Sequence, residues 1–162
     1  MDITIGIPTH NEENSITKCL MSCLNQKTHL SFEIIVVASG CTDNTVALIE
    51  DFRSKDKRIK LIVEEQRNGK PSAMNIILKK ARGNIIVHGG GDVIFMPDSV
   101  NKLVEKLNKR KGVVCVSGNT EILFNGSKLF HSWDLKTQEI LVRKNVIESN
   151  KGEFFHICGD LF

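Results

Sequence analysis

Five apolar runs, each leading into a polar or glycine-rich turn, set the limits on what this chain can fold into. They cover Ile3 to Ile7, Phe32 to Val37, Ile59 to Val63, Asn84 to Val87 and Val113 to Val116. None alternates cleanly between apolar and polar residues, and a strand apolar at nearly every position is buried on both faces. Between the runs, Ile16, Cys19, Leu20, Cys23 and Leu24 recur at helical spacing, as do Val100, Leu103, Val104 and Leu107. Thr42-Asp43-Asn44-Thr45 offers capping side chains for a helix reaching about Phe52. A further helix is expected over Lys70 to Lys80, and Pro97-Asp98 opens the last of this set. Strand-helix repetition with buried strands predicts an α/β fold on a doubly wound, mostly parallel sheet, Rossmann-like in outline. After Ser117 the pattern weakens. A helix is expected over Lys128 to Val142, and a short apolar piece, Phe154 to Ile157, precedes Cys158-Gly159-Asp160-Leu161-Phe162. The chain reads as one domain, with 1–118 as the ligand-binding half and 119–162 as the start of a second half that looks cut short.

Composition narrows the function classes. At 162 residues, 41% hydrophobic and 25% charged, the chain is ordinary for a soluble globular protein. Its 22 basic residues against 19 acidic, a net charge of +3, are too balanced to argue for a nucleic-acid partner. Lys106, Lys109, Arg110 and Lys111 fall at a helix end, where cations favour the dipole. Cys19, Cys23, Cys41, Cys115 and Cys158 form no Cys-x-x-Cys, so buried free thiols in a reducing, cytoplasmic setting are expected. The five histidines are scattered and make no zinc pattern. No signal peptide opens the chain, and no apolar run nears the roughly 18 residues of a membrane span.

Open α/β sheets bind ligands at the carboxyl ends of their strands. Those ends read Pro8-Thr9-His10-Asn11-Glu12, Ala38-Ser39-Gly40-Cys41-Thr42-Asp43, Gln66-Arg67-Asn68-Gly69-Lys70 and Gly89-Gly90-Gly91-Asp92. One polar turn is an ordinary solvated loop, whereas four that converge, with Lys70 and Asp92 among them, point to a phosphorylated ligand. The last turn places one carboxylate after three glycines, which permit close approach to the backbone. Neither Gly-x-Gly-x-x-Gly nor Gly-x-x-x-x-Gly-Lys-Ser/Thr occurs, so dinucleotide and phosphate-loop hydrolase readings fall.

These four segments, in order from residue 3 to about 118, resemble the family 2 glycosyltransferases, inverting nucleotide-sugar enzymes with the glycosyltransferase A fold. Ile5-Gly6-Ile7-Pro8-Thr9-His10-Asn11-Glu12-Glu13 resembles the first strand and its Pro-x-x-Asn-Glu turn. Glu33 through Thr45 resembles the second signature, and Asn68 through Asn75, continuing to Ala81-Arg82-Gly83, the third. Gly90-Gly91-Asp92 falls where the family carries Asp-x-Asp. The resemblance implies transfer of a sugar from a nucleoside-diphosphate sugar to an acceptor hydroxyl of a glycan, lipid or protein, with inversion. It implies Pro8, Thr9, Asn11, Glu12, Ser39, Lys70, Gly91 and Asp92 as nucleotide-sugar contacts. Asp92 would be the carboxylate toward a divalent metal, manganese or magnesium, which suits oxygen ligands and phosphates. Membrane association would come through residues after 162, at the cytoplasmic face.

The chain departs from that pattern at three positions. Gly90 replaces the first acid of the metal motif, and Ala38 and Ser39 replace the paired acids after the second strand, one of which recognises the nucleobase in the family. An altered donor, weaker metal dependence or lost activity would follow, and a degenerate nucleotide-sugar-binding module is the alternative reading. The catalytic base is expected beyond the matched region. Asp160 stands in a segment resembling the acceptor side rather than the base. His88-Gly89-Gly90-Gly91 also matches an esterase oxyanion motif, but no Gly-x-Ser-x-Gly follows. A nucleotidyltransferase would show a glycine-rich loop with Arg and Lys after the first strand, where Thr9-His10-Asn11-Glu12 stands.

Overall fold

A computed structural model describes residues 1–109, 113–118 and 140–143. Strands β1 (Ile3–Thr9), β2 (Phe32–Ser39), β3 (Ile59–Glu64) and β4 (Ile85–His88) alternate with helices α1 (Ile16–Leu24), α2 (Thr45–Lys55) and α3 (Gly69–Lys80). Helix α4 (Ser99–Asn108), β5 (Cys115–Ser117) and β6 (Ile140–Arg143) follow. The sheet runs β3-β2-β1-β4-β6-β5. β1 pairs in parallel with β2 and β4, and β2 with β3, while β6 runs antiparallel to both β4 and β5. The expected mostly parallel α/β sheet is therefore present.

Every residue of β1 and β2 is buried, as their unbroken apolar runs require. One layer packs α1, α2 and α4 on Ile3, Ile5, Ile7, Ile34 and Val36; the other packs α3 on Ile35, Val37 and Ile86. Cys19 and Cys23 are buried in the first layer, and neither they nor the half-buried Cys41 and Cys115 form a disulfide. Gly6 brings α3 close, since a Cβ there would stand 2.6 Å from Ile77. β1 continues through Pro8 to Thr9, two residues past the apolar run. The Gly89 N–H donates to Gly6 O, so even-numbered residues of β1 face β4; the β4 ladder ends at Gly6–His88, and the N–H that proline lacks has no ladder partner to lose.

The helix expected through Val142 is corrected. Residues 140–142 belong to β6, where Val142 pairs with Ile86 and Leu141 with Val87. Pairing between the exposed edge of β4 and an Ile-Leu-Val run outweighs local periodicity there. The expected helical residues 128–139 lie outside the described ones, as do Cys158 and Asp160. Among the described residues, no helix is long and apolar enough to cross a membrane.

A buried carboxylate pins the amino ends of the strands. Glu33, 1% exposed, accepts from Thr4 Oγ1 at 2.9 Å, the Arg82 N–H at 2.7 Å, Arg82 Nε at 2.9 Å and Lys60 Nζ at 2.8 Å. Thr4 Oγ1 in turn accepts the Gly83 N–H. Burial pushes this carboxyl up, but the Lys60, Arg82 and Thr4 donors outweigh it and hold it at about 2. Its folded value lies below the unfolded one, so its contribution is complete above the ordinary glutamate range and is lost as pH falls toward 2. Glu33→Gln is expected to cost about 2–3 kcal/mol at pH 7. Its denaturation curves should also lose the part of the acid-induced destabilisation that falls between pH 4.5 and pH 2.

Candidate functional site

The order of the sheet locates the site before any side chain is considered. The β1-α1-β2 and β2-α2-β3 connections keep to one face, and α3 crosses back on the other to reach β4. Strand order reverses between β1 and β4, and a crevice opens at such a switch point beyond the carboxyl ends. Thr9 lies on one side of it and Gly89 to Asp92 on the other.

The glycine turn packs on the end of β1. It closes with the Val93 N–H donating to Gly90 O at 3.2 Å, and Cys19 Sγ lies 3.5 Å from the same oxygen. A Cβ on Gly91 would stand 2.5 Å from Thr9 Oγ1 and 3.2 Å from Glu12 Cγ; one on Gly89 would enter the Phe95 ring. The room at Gly89 and Gly91 is thus taken by the protein's own side chains, a correction to the reading that all three glycines open space for a ligand. At Gly90 the nearest atom is Asp92 Oδ1, so the single carboxylate folds back over the position that lacks one. Asp92 is itself exposed. Thr9, 5% exposed, keeps its Oγ1 buried with no hydrogen-bond partner beneath Gly91.

The first two strand-end loops are tied together. Asn11 adopts φ 52° and its Oδ1 accepts the Thr42 N–H at 2.8 Å, while its Nδ2 donates to Thr42 Oγ1. Asp43 accepts the N–H groups of Glu13 and Thr45, Glu13 accepts that of Asn44, and Thr45 Oγ1 accepts that of Glu12. The cap of α2 is therefore supplied by Asp43, with no side-chain bond from Asn44 at the cap position. Asn11 is consumed by this lock rather than turned to the crevice. The Glu12 carboxylate bonds Ser15 Oγ at the start of α1. His10 Nδ1 sits 2.8 Å from Ser39 O. Beside this lock, burial pushes the Cys41 thiol up, aided by the charges of Asp43 and Glu12 and opposed by the Asn11 backbone.

On the α3 side, Gly40 at φ 59° lies against the Arg67 backbone, 2.6 Å from where its Cβ would be. Ser39, 4% exposed, donates to Gln66 O at 3.3 Å and accepts the Asn68 N–H at 3.2 Å. Glu64, the last residue of β3, accepts from Asn68 Nδ2 and Ser72 Oγ, both at 2.9 Å. Lys70 is exposed in the first turn of α3. Pro8 is buried within β1, opposite Val37. Thr9, Glu12, Gly91 and Asp92 are thus gathered at the crevice, Ser39 and Lys70 stand along the rim, and Pro8 and Asn11 serve the scaffold. Sequence reasoning missed Glu64, although it directly follows an apolar run, as Asp92's turn does.

A metal ion would find one protein carboxylate here. Among the described residues no three His, Cys, Asp or Glu side chains group as a metal site. Asp92, exposed and folded over a glycine, fits an ion whose other ligands are phosphates and water, the pattern of magnesium with nucleotides. A separate cavity of about 360 Å³, lined by Arg53, Lys60 and Lys80 among others, lies along β3 and shares no residue with the rim.

The profile described as Glycosyl transferase family 2 matches residues 4–159. Glycosyltransferase GlyA of Streptococcus pneumoniae is 32% identical over 160 residues, covering 99% of this chain and 19% of that protein. An uncharacterized glycosyltransferase of Haemophilus influenzae is 34% identical over 100 residues, 62% of this chain and 40% of the relative. The chain thus spans less than half the length of these relatives. Among solved structures, the mannosyltransferase PcManGT from Pyrobaculum calidifontis, in complex with GDP-Man and Mn2+, superposes with a TM-score of 0.75. It is 22% identical, over 93% of this chain and 46% of that one, and shares the glycosyltransferase A fold.

The packing of the turn separates two glycines that look alike in sequence. Gly91→Ala drives a methyl into Thr9 and is expected to cost about 1–3 kcal/mol. Gly90→Ala meets only the movable Asp92 carboxylate and should cost under about 0.5 kcal/mol. Denaturant melts of the two variants check this, and equal losses would contradict the packing described.

Proposed function

The chain belongs to glycosyl transferase family 2, and from that premise we propose that its strand-end rim binds a nucleoside-diphosphate sugar. The sugar is then moved, with inversion, to an acceptor hydroxyl of a glycan, lipid or protein. The observation that carries this reading is the switch point between β1 and β4, where the glycine turn seats on Thr9 and Glu12 and leaves the Asp92 carboxylate exposed. Ligands of open α/β sheets bind beyond the carboxyl ends of the strands at such a switch point.

The residues divide the work by chemistry. In an inverting transfer the acceptor oxygen attacks the anomeric carbon while the nucleoside diphosphate leaves from the opposite face, and negative charge grows on its phosphates. A divalent ion bound there supplies charge stabilisation. Asp92 would hold that ion's protein side, with manganese or magnesium both suited to an oxygen set. Thr9 would brace the turn from beneath Gly91, and Glu12, beside Gly91, would border the pocket. Lys70 brings a positive charge to the rim from the first turn of α3. The interlocked Asn11 and Thr42 keep the first two loops fixed, so little ordering remains to be done on binding. A reducing, cytoplasmic setting suits cysteines that, among the described residues, form no disulfide. A nucleotide-sugar-binding module without turnover is the second reading, favoured by the lone carboxylate at the glycine turn and by Ala38.

Calorimetric titration with UDP- and GDP-sugars, with and without manganese, tests the proposal. At least one donor should bind, and binding should weaken when the metal is chelated. Asp92→Ala should reduce the metal-dependent part by roughly tenfold or more. No binding across the panel contradicts the donor site, and unchanged metal dependence in the variant removes Asp92 from it.

A further inference from the structure

Strand β3 ends the sheet on one side, with β2 as its one strand neighbour among the described residues. The Ile34 N–H donates to Arg58 O and the Gly40 N–H to Glu64 O, so even-numbered residues here turn their backbone groups toward β2. Ile59, Leu61 and Val63 turn theirs outward. The Ile59 N–H is taken by Asp56 O at 3.2 Å, whereas no partner among the described residues takes the N–H or carbonyl of Leu61 or Val63. Such an edge is a template for another strand. Its side chains favour pairing too. Val63 is 52% exposed, on the same face as the buried Ile59 and the half-buried Leu61. The cleft of about 360 Å³ runs beside them, with Ile59, Leu61 and Ile62 in its wall. A lysine on an edge strand ordinarily deters pairing, but Lys60 is drawn back onto its own sheet, with Nζ 2.8 Å from Glu33 Oε2.

The charges at the two ends of this edge identify the partner. Lys57 stands just before the strand and Glu65 just after it; both are exposed, and neither has an ion pair among the described residues. Antiparallel pairing with an identical strand sets each basic end against an acidic one. We propose that the occupant is a second copy of this chain, its β3 laid antiparallel about a two-fold axis at Leu61. Centred there, Leu61 and the partner's Leu61 exchange both of their hydrogen bonds, and the Val63 N–H meets the partner's Ile59 O. The exposed Val63 side chain then covers the partner's Ile59 beside the cleft. Arg58 comes opposite the partner's Glu64, and Lys57 opposite the partner's Glu65, each pair repeated by the symmetry. Neighbouring registers are worse. A centre at Lys60 opposes two lysines directly, and one at Ile62 moves Lys57 from Glu65 onto Arg67. The joined sheet runs through both copies and leaves their strand-end rims pointing in opposite directions.

Sedimentation equilibrium of the full chain, with amide exchange on the same samples, provides the test. At about 100 μM, a concentration suited to a small interface, the mass should approach twice the 18.1 kDa of one chain. Lys57→Glu or Glu65→Lys alone opposes like charges and should weaken the dimer roughly tenfold. Combining the two exchanges the charges and should restore association to within about threefold of wild type. Both positions are exposed, so the variants keep the fold. The Leu61 and Val63 amides should exchange freely in dilute protein and become protected as the dimer forms. A monomer at that concentration overturns the proposal. So does a dimer indifferent to the single charge reversals, a double variant no better than either single one, or association without protection of those two amides, since another surface would then be responsible.

Discussion

The position of β1 between β2 and β4 governs everything at the site. All seven of its residues are buried, and its parallel register sets Thr9 beside Ala38 on one side and Gly6 beside His88 on the other. Side chains alternate along a strand, so a slip of one residue would turn Thr9 away from Gly91 and put Pro8 in its place. Two features oppose such a slip. Gly6 admits Ile77 of α3, a fit that no other residue of β1 reproduces. At the opposite end, Glu33 ties β2 to Thr4, Lys60 and Arg82 through a buried carboxylate. With the amino ends held, the carboxyl ends form a fixed row.

That row explains why some polar residues are spent on the scaffold and others are left for a ligand. Asn11, Glu13, Asp43 and Thr45 satisfy backbone groups of the first two loops, which cannot form ladder hydrogen bonds once the strands have ended. Thr9 keeps one buried atom that the scaffold does not satisfy, while Asp92 and Lys70 stay in solvent. Such frustration is tolerated where function needs it. The unspent groups lie at both ends of the rim, with the switch point at one end and the α3 turn at the other.

The first four strands and helices were legible in sequence because their signals are local: unbroken apolar runs, helical spacing and capping residues. β6 was not. Its Ile-Leu-Val run suits a helix face as well as a strand, and only its long-range pairing with β4 decides. At the site, the strand ends were readable from their polarity, and Thr9, Glu12, Gly91 and Asp92 do come together. Asn11 looked like a ligand contact because a polar side chain in a loop gives no sign of which backbone group it will satisfy. The glycines carried a related ambiguity, since a missing Cβ marks close approach without saying what approaches. For Gly91 the answer is Thr9 and Glu12; for Gly90 it is Asp92. Glu64 was passed over because a charged residue after an edge strand is ordinarily solvated, and its contacts with Asn68 and Ser72 depend on α3 folding back.

The membership in glycosyl transferase family 2 and the single carboxylate of the glycine turn meet in one question, whether nucleotide and metal occupy this rim together. Amide resonances of the full chain, recorded with a nucleoside diphosphate in the presence of manganese, answer it most directly. The account predicts paramagnetic broadening centred on Gly90 to Asp92 and reaching Thr9 and Glu12, with metal-independent shifts running from Ser39 to Glu64 and Lys70. Broadening centred elsewhere, or none when nucleotide is bound, would contradict it.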